Sequence, residues 1–286
     1  MYAVIGPFQF MLPEQFEWRR AQPSIRHLSK FTHESEDPSI PVFRMNIIGS
    51  LSHPPTAMCR RVGNVYCFSG SEALRQVFIT PEMKSAIDWE GRRMDIELLP
   101  FSEDPEFDAT GKVMVLLRLL VSFAVLRSGG LPLHCSCVGK DGSAVAFFGK
   151  SGAGKTTIAR IMSKNGWQLL NDEYNLLIPD GCGGYRAFST PFSKTLEQVS
   201  NPDAGVGIIN LFGLHRGEFS VAALPMEKAV RALIESVYMF PDFAATRGVL
   251  LDTAAAACTR LSVRDLRFGN CEATAGLIEN ILNGGK

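Results

Sequence analysis

Apolar positions recur along this chain in two different patterns, and the change falls near residue 110. Before it, short runs of strand type (Val42–Ile48, Asn64–Phe68, Gln76–Ile79 and Ile96–Leu99) alternate with turn-forming residues. Ser35–Pro41 and Ser102–Ala109 are polar connectors rich in Pro or Asp. After it, strand-length and helix-length segments follow one another. Val113–Leu126 is a predominantly apolar run interrupted by Arg118 and stops at Gly129-Gly130, which predicts a buried helix. A strand at Leu131–Val138, a turn at Lys140-Asp141-Gly142 and a strand at Ser143–Phe148 come next. Ile158, Ala159, Ile161 and Met162 then fall at helical spacing, and Asn165-Gly166 is a helix stop. A strand at Trp167–Leu170 and a hairpin of Leu176–Ile178 with Tyr185–Phe188 follow. Helices at Met226–Tyr238 and about 244–259, a strand at Val263–Phe268 and a helix at Glu272–Leu282 complete the pattern. The expectation is an α/β fold with two parts. Residues 1–110 form a β-rich or α+β N-terminal module that selects a substrate or partner. Residues 111–286 form an α/β domain built for chemistry.

One segment carries a chemical reason in its spacing. Gly149-Lys150-Ser151-Gly152-Ala153-Gly154-Lys155-Thr156 is a complete G-x-x-x-x-G-K-[ST] phosphate loop, a Walker A motif, and Thr157 follows it. Glycines let backbone N–H groups turn inward onto phosphate oxygens. Lys155 brings a positive charge to the β- and γ-phosphates, and the Thr156 hydroxyl is a Mg²⁺ ligand of the usual kind. The predicted strand before the loop and helix after it aim a helix N-terminus at the phosphates. The loop predicts nucleotide binding at residues 149–157 without naming a reaction.

Composition narrows the setting. The 286 residues are 46% hydrophobic, enough for a large core, and Lys+Arg and Asp+Glu both number 29. Zero net charge argues against a general nucleic-acid or membrane-surface binder. The N-terminus has no basic region, long apolar core or cleavage site, so it is not read as a signal peptide. Val113–Leu126 is too short to span a bilayer. The seven cysteines include no C-x-x-C pair. Cys135 and Cys137 share a strand face and could ligate a metal, but no second Cys/His pair of suitable spacing accompanies them, so they read as reduced core thiols, which fits a cytoplasmic protein. His27, His33 and His53 read as solvated surface histidines.

A second constellation lies downstream of the loop. Asp172 and Glu173 directly follow the strand that ends at Leu170, and ligands of open α/β sheets sit at carboxyl ends of strands. The pair and the loop are therefore expected to converge. Phosphate clamping, Mg²⁺ and a carboxylate for the acceptor proton are what phosphoryl transfer to a hydroxyl requires. A solvated turn or helix cap is the plain alternative. His134 lies within the apolar strand Leu131–Val138; it is either a hydrogen-bonded core histidine or a partner of Asp172.

In order, Leu-His-Cys-Ser-Cys-Val, the phosphate loop and Asn-Gly-Trp-Gln-Leu-Leu-Asn-Asp-Glu resemble the catalytic core of the HPr kinase/phosphorylase family, itself related to phosphoenolpyruvate carboxykinase. The resemblance is clear over Leu131–Phe192 and weak beyond. It implies an HPr-kinase-like P-loop core and ATP- and Mg²⁺-dependent phosphorylation of a serine hydroxyl. It gives Asp172 the role of general base, His134 that of its assistant, Glu173 and Thr156 places near the metal, and Lys155 its usual charge. The family pair is usually Asp-Asp, and Glu173 lengthens the second member by one methylene. Residues 1–110 do not resemble the N-terminal domain of the bacterial sugar-regulation kinase. The chain is thus more similar to divergent HPr-kinase-like proteins, some of which phosphorylate natural-product precursor peptides.

The resemblance implies a peptide or protein partner bearing a serine, and it leaves assembly of identical subunits open. Two other readings remain. One is a nucleotide-switched regulator without transfer, and the other is a small-molecule kinase or carboxykinase-like enzyme. Ser189–Thr195, with Lys194, is either a substrate loop or a plain surface loop. His215-Arg216-Gly217 is either a phosphate contact or an ordinary turn.

Overall fold

The structure, a computed structural model, describes residues 1–14, 28–51, 59–62, 65–69, 75–79, 83–88, 92–99, 109–193, 205–238, 244–269 and 273–284. The chain forms two compact units, Met1–Val121 with Phe240–Thr246, and Ser122–Met239 with Arg247–Lys286.

The first unit holds a nine-stranded sheet of β1 (Tyr2–Ile5), β2 (Phe8–Met11), β3 (Thr32–His33), β4 (Val42–Ile47), β5 (Cys59–Val62), β6 (Val65–Ser69), β7 (Arg75–Ile79), β8 (Met83–Asp88) and β9 (Arg93–Leu98). Their order is β3-β1-β2-β4-β9-β8-β7-β6-β5. β5 to β9 are an antiparallel meander, and β4 runs parallel to both β2 and β9. Period-two burial explains β9: Met94 and Ile96 are inside while Arg93 is exposed. A β-rich module is what the sequence predicted. β1, β2, β3, β5 and β8 were not among the expected strands. Helix α1 (Ala109–Arg127) is divided between the two compact units after Val121. His33 is exposed at the end of β3, and His27 and His53 lie outside the described residues.

The second unit is α/β. Its strands are β10 (Leu131–Leu133), β11 (Cys135–Lys140), β12 (Ser143–Phe148), β13 (Gln168–Asn171), β14 (Asn175–Pro179), β15 (Tyr185–Phe188), β16 (Val206–Arg216), β17 (Ser220–Ala223) and β18 (Ser262–Phe268). Its helices are α2 (Lys155–Lys164), α3 (Met226–Ser236), α4 (Ala244–Arg260) and α5 (Ala273–Leu282). The sheet order is β10-β14-β15-β16-β12-β11-β13, with β18 on β16 and β17 on β18.

Successive side chains of β12 point to opposite faces, and each face has its own core. Ala144, Ala146 and Phe148 meet Cys135, Cys137, Leu233 and Ala254 on one side. Val145 and Phe147 meet Ile158, Met162 and Ile278 on the other, where Phe147 stacks on Phe212 with centroids 5.7 Å apart. Cys135 and Cys137 are free and buried. Burial pushes the Cys135 thiol up to about 12 and the Cys137 thiol well above its ordinary value, so both stay protonated.

Two elements differ from the sequence reading in ways that matter to the site. The strand expected over Leu131–Val138 is broken at His134 into β10 and β11. Residues 206–216, assigned no strand, form β16, an 11-residue strand between β12, β15 and β18. His215 and Arg216 therefore end a strand and do not form a turn; Gly217 begins the turn, with φ 155.

Candidate active site

The sheet's pairing brings the motifs together. β12 and β13 both run antiparallel to β11, so both end where β11 begins. Phe148 pairs with Cys135, and Asn171 pairs with Cys137 across a bulge at Cys137/Val138. The phosphate loop leaves Phe148, the acidic pair leaves Asn171, and His134 immediately precedes β11. Three segments spread over about forty residues of chain thus meet at one end of the strands.

The loop has its expected form. Gly149, Gly152 and Gly154 have φ of 143, 81 and 106, conformations that L side chains rarely adopt. Gly154 caps α2 directly, so the N–H groups of the first turn open onto the loop's hollow. Lys155 is 8% exposed; its Nζ donates to the carbonyls of Gly149 (2.8 Å) and Lys150 (3.3 Å) and is held within the loop. Lys150 and Ser151 are exposed, and Ala153, Thr156 and Thr157 are half-buried.

Asn171 sets the acidic pair. Its Oδ1 accepts the backbone N–H groups of Glu173 (2.8 Å) and Tyr174 (3.1 Å), an Asx turn that reverses the chain after β13. Its Nδ2 donates to the Thr190 carbonyl at 2.8 Å. Thr190 Oγ1 in turn donates to the Tyr174 carbonyl at 2.7 Å. Asn171 and Thr190 are fully buried, so these bonds form without competition from water.

Asp172 is 3% exposed and Glu173 9%. The Ser193 hydroxyl donates to Asp172 Oδ1 at 2.8 Å, and the Ser136 hydroxyl donates to the Asp172 carbonyl at 3.3 Å. His134 does not partner Asp172: its Nε2 lies 3.4 Å from Glu173 Oε2. The cause is the strand break. The backbone N–H of His134 donates to the Ser236 carbonyl at 2.7 Å, and Tyr238 N–H donates to the Pro132 carbonyl at 2.9 Å. The end of α3 thereby pins the residue between β10 and β11, with its imidazole toward the second acidic residue.

The donor set suits magnesium carried by a nucleotide. Magnesium takes oxygen ligands and is usually held through one or two carboxylates together with substrate phosphates. The Thr156 hydroxyl and the Glu173 carboxylate are ligands of this type. Among the described residues, no group of three or more His, Cys, Asp or Glu side chains could hold a metal by itself.

A cavity of about 500 Å³ adjoins the loop. Gly149–Ser151, the end of β16 through Arg216, and Lys228 and Arg231 of α3 border it, over a floor of Leu214, Leu224 and Ala232. Arg231 pairs with Glu235 (2.9 Å), and His215 Nε2 lies 2.9 Å from Asp265 Oδ1. Ser193 belongs to the Ser189–Thr195 segment proposed from sequence, whereas Lys194 lies outside the described residues. Sequence reasoning missed Asn171, Thr190, Ser193 and Ser136 as supports of the acidic pair. Only Asn171 left a local signal, an Asx residue two positions before the N–H it accepts.

A family model described as SynChlorMet cassette protein ScmC matches residues 104–263. Similar curated proteins include the ATP phosphoenolpyruvate carboxykinase 1 of Salinibacter ruber, 27% identical over 123 residues, which are 35% of this chain and 22% of the relative. The ATP phosphoenolpyruvate carboxykinase of Afipia carboxidovorans is 29% identical over 152 residues, 43% of this chain and 28% of the relative. The chain thus spans about a quarter of the length of these relatives. Among solved structures, the HPr(Ser) kinase/phosphatase of Coxiella burnetii matches with a TM-score of 0.30 and 9% identity, over 54% of this chain and 94% of that one. Among the described residues, no helix is long and apolar enough to cross a membrane.

Proposed function

The chain belongs to the SynChlorMet cassette protein ScmC family, and from that premise we propose that it is an ATP- and Mg²⁺-dependent kinase. The γ-phosphoryl group passes to a hydroxyl, a serine of a peptide or protein such as a natural-product precursor. The convergence of a phosphate loop, a buried acidic pair and His134 at one end of the strands carries this reading. Similarity to ATP-dependent carboxykinases supports ATP as the phosphoryl donor.

The residues divide the work as follows. Backbone N–H groups of 149–157 and the Lys155 ammonium hold the β- and γ-phosphates. Thr156 and Glu173 would hold the metal, which would offset phosphate charge, and His134 orients Glu173. Asp172, kept in one rotamer by Ser193, accepts the acceptor's proton. The acceptor oxygen–phosphorus bond forms as the β–γ bridging P–O bond breaks. The electron pair of that bond leaves with ADP, and the hydroxyl proton goes to Asp172. The buried position of Asp172 excludes water as a competing acceptor. The cavity beside the loop has the size of a small-ligand site and takes the remainder of the nucleotide.

Transfer of labelled γ-phosphate from ATP to candidate peptides tests the reading. Asp172→Asn is expected to bind MgATP normally and to lose about 10²–10⁴-fold in kcat, the usual contribution of a general base. Undiminished transfer by Asp172→Asn removes Asp172 from that role.

A further inference from the structure

On the phosphoryl-transfer reading above, we infer that Arg216 is a further substrate-contacting residue. Its guanidinium supplies, in cis, a second fixed positive charge to the terminal phosphates held by the loop. Four observations place it there. β16 runs parallel to β12 with Gly213 beside Phe148, so Arg216 overhangs the loop that leaves Phe148. A Cβ added to Gly154 would fall 3.0 Å from both Cζ and Nη2 of Arg216. The guanidinium thus rests on the glycine that precedes Lys155. Its Nη2 lies 3.5 Å from Thr157 Oγ1, just past the two residues that hold phosphate and metal. It borders the cavity together with Gly149, Lys150 and Ser151.

The group is also pre-oriented. Arg216 Cζ sits 5.1 Å from the centroid of Phe268, a ring that is fully buried and cannot swing away. An otherwise exposed arginine on a strand end would lose much side-chain entropy on binding an anion. Here the stacked ring and the Gly154 backbone have already fixed the plane of the fork. Charge in the phosphoryl-transfer transition state spreads over three equatorial oxygens, and Lys155 reaches them only from inside the loop. A planar guanidinium on the β16 side covers the oxygens that Lys155 does not. The Asp265 carboxylate at the same cavity is held by other side chains, with His215 Nε2 2.9 Å from Oδ1 and Arg267 Nε 4.0 Å from Oδ2.

Calorimetric titration of the full chain with MgATP and with MgADP, in wild type, Arg216→Lys and Arg216→Ala, tests the inference without an acceptor. Arg216→Ala is expected to weaken MgATP by about tenfold or more, the value of a charged hydrogen bond, with MgADP changed far less. Arg216→Lys falls between them, because it keeps the charge and loses the fork. In the transfer assay, kcat of Arg216→Ala falls by about 10³-fold, the lower end for an arginine acting on a transferred phosphoryl. Added guanidinium chloride restores part of that rate. Equal loss of both nucleotides, or loss of neither, overturns the inference, as does a lowered Tm that accounts for the defect. If the wild type transfers to no acceptor, the kinase reading fails while the ATP-to-ADP ratio still decides the role of Arg216.

Discussion

Replacing Asn171 by Ala tests how the acidic pair is held. The side chain is fully buried, and its amide serves both sides of one turn. Oδ1 accepts the N–H groups of Glu173 and Tyr174, and Nδ2 donates to the Thr190 carbonyl and more weakly, at 3.4 Å, to its hydroxyl. Alanine leaves two N–H groups and one carbonyl without these partners in a region closed to water. Each orphaned buried polar group costs about 1–3 kcal/mol. Partial relaxation of the chain offsets some of this, so the variant is expected to lose about 3–5 kcal/mol. For a unit of this size that is a fall in Tm of roughly 10 °C. Asn171→Asp separates the two halves of the network. It keeps an acceptor for both N–H groups but sets an oxygen against the Thr190 carbonyl, so it is expected to lose less than Ala in the turn and more at Thr190. Differential scanning calorimetry measures the loss, and nucleotide titration reports on the site. An Asn171→Ala protein that melts within about 1 kcal/mol of wild type refutes the claim that this amide carries the turn.

Three further outcomes follow from the same geometry. Gly154→Ala places a methyl 2.7 Å from the buried Phe268 ring and forces an L residue to φ 106, so a loss of about 2–4 kcal/mol in thermal unfolding is expected, with weakened ATP binding. A double-mutant cycle of His134→Gln and Glu173→Gln in kcat should be non-additive, the double variant being no worse than the poorer single one, because the two side chains act as a pair; strict additivity would separate them. The Lys140 ammonium and the Trp167 indole N–H, both donating to Glu279, hold its carboxyl below the usual carboxylate range. A depressed folded pKa adds stability above the unfolded value, about 4.3, and that stability is lost as pH falls through the folded value. Thermal melts of wild type should therefore decline in that acidic window more steeply than those of Glu279→Gln, and parallel curves would show that the contact contributes nothing.

The elements read correctly from sequence are those whose signal is local. β12 matches its expected range, and α2, α4, α5 and β18 fall within a few residues of theirs, because apolar spacing and a Gly or Asn stop lie within the element itself. β16 escaped notice for the opposite reason. Gly207 and Gly213 interrupt its apolar run, although a Cβ at either would meet its neighbours, the Gly142 carbonyl and the Phe148 ring, only at ordinary contact distance. A strand in the middle of a sheet is identified by its partners, and those partners are far away in sequence.

The same division holds at the site. The sequence by itself determined the phosphate loop from Gly149 to Thr157, the strand and helix that flank it, and the presence of two carboxylates at a strand end. These depend on backbone preferences and residue types within a dozen positions. Only the tertiary structure decided that His134 meets Glu173 instead of Asp172, that Ser193 holds Asp172, and that Arg216 lies on Gly154. Each of those contacts depends on a strand break, a bulge or a strand register, and a shift of one residue in a strand turns every side chain to the other face. No local pattern contains that register, because the packing of both cores against the same sheet sets it.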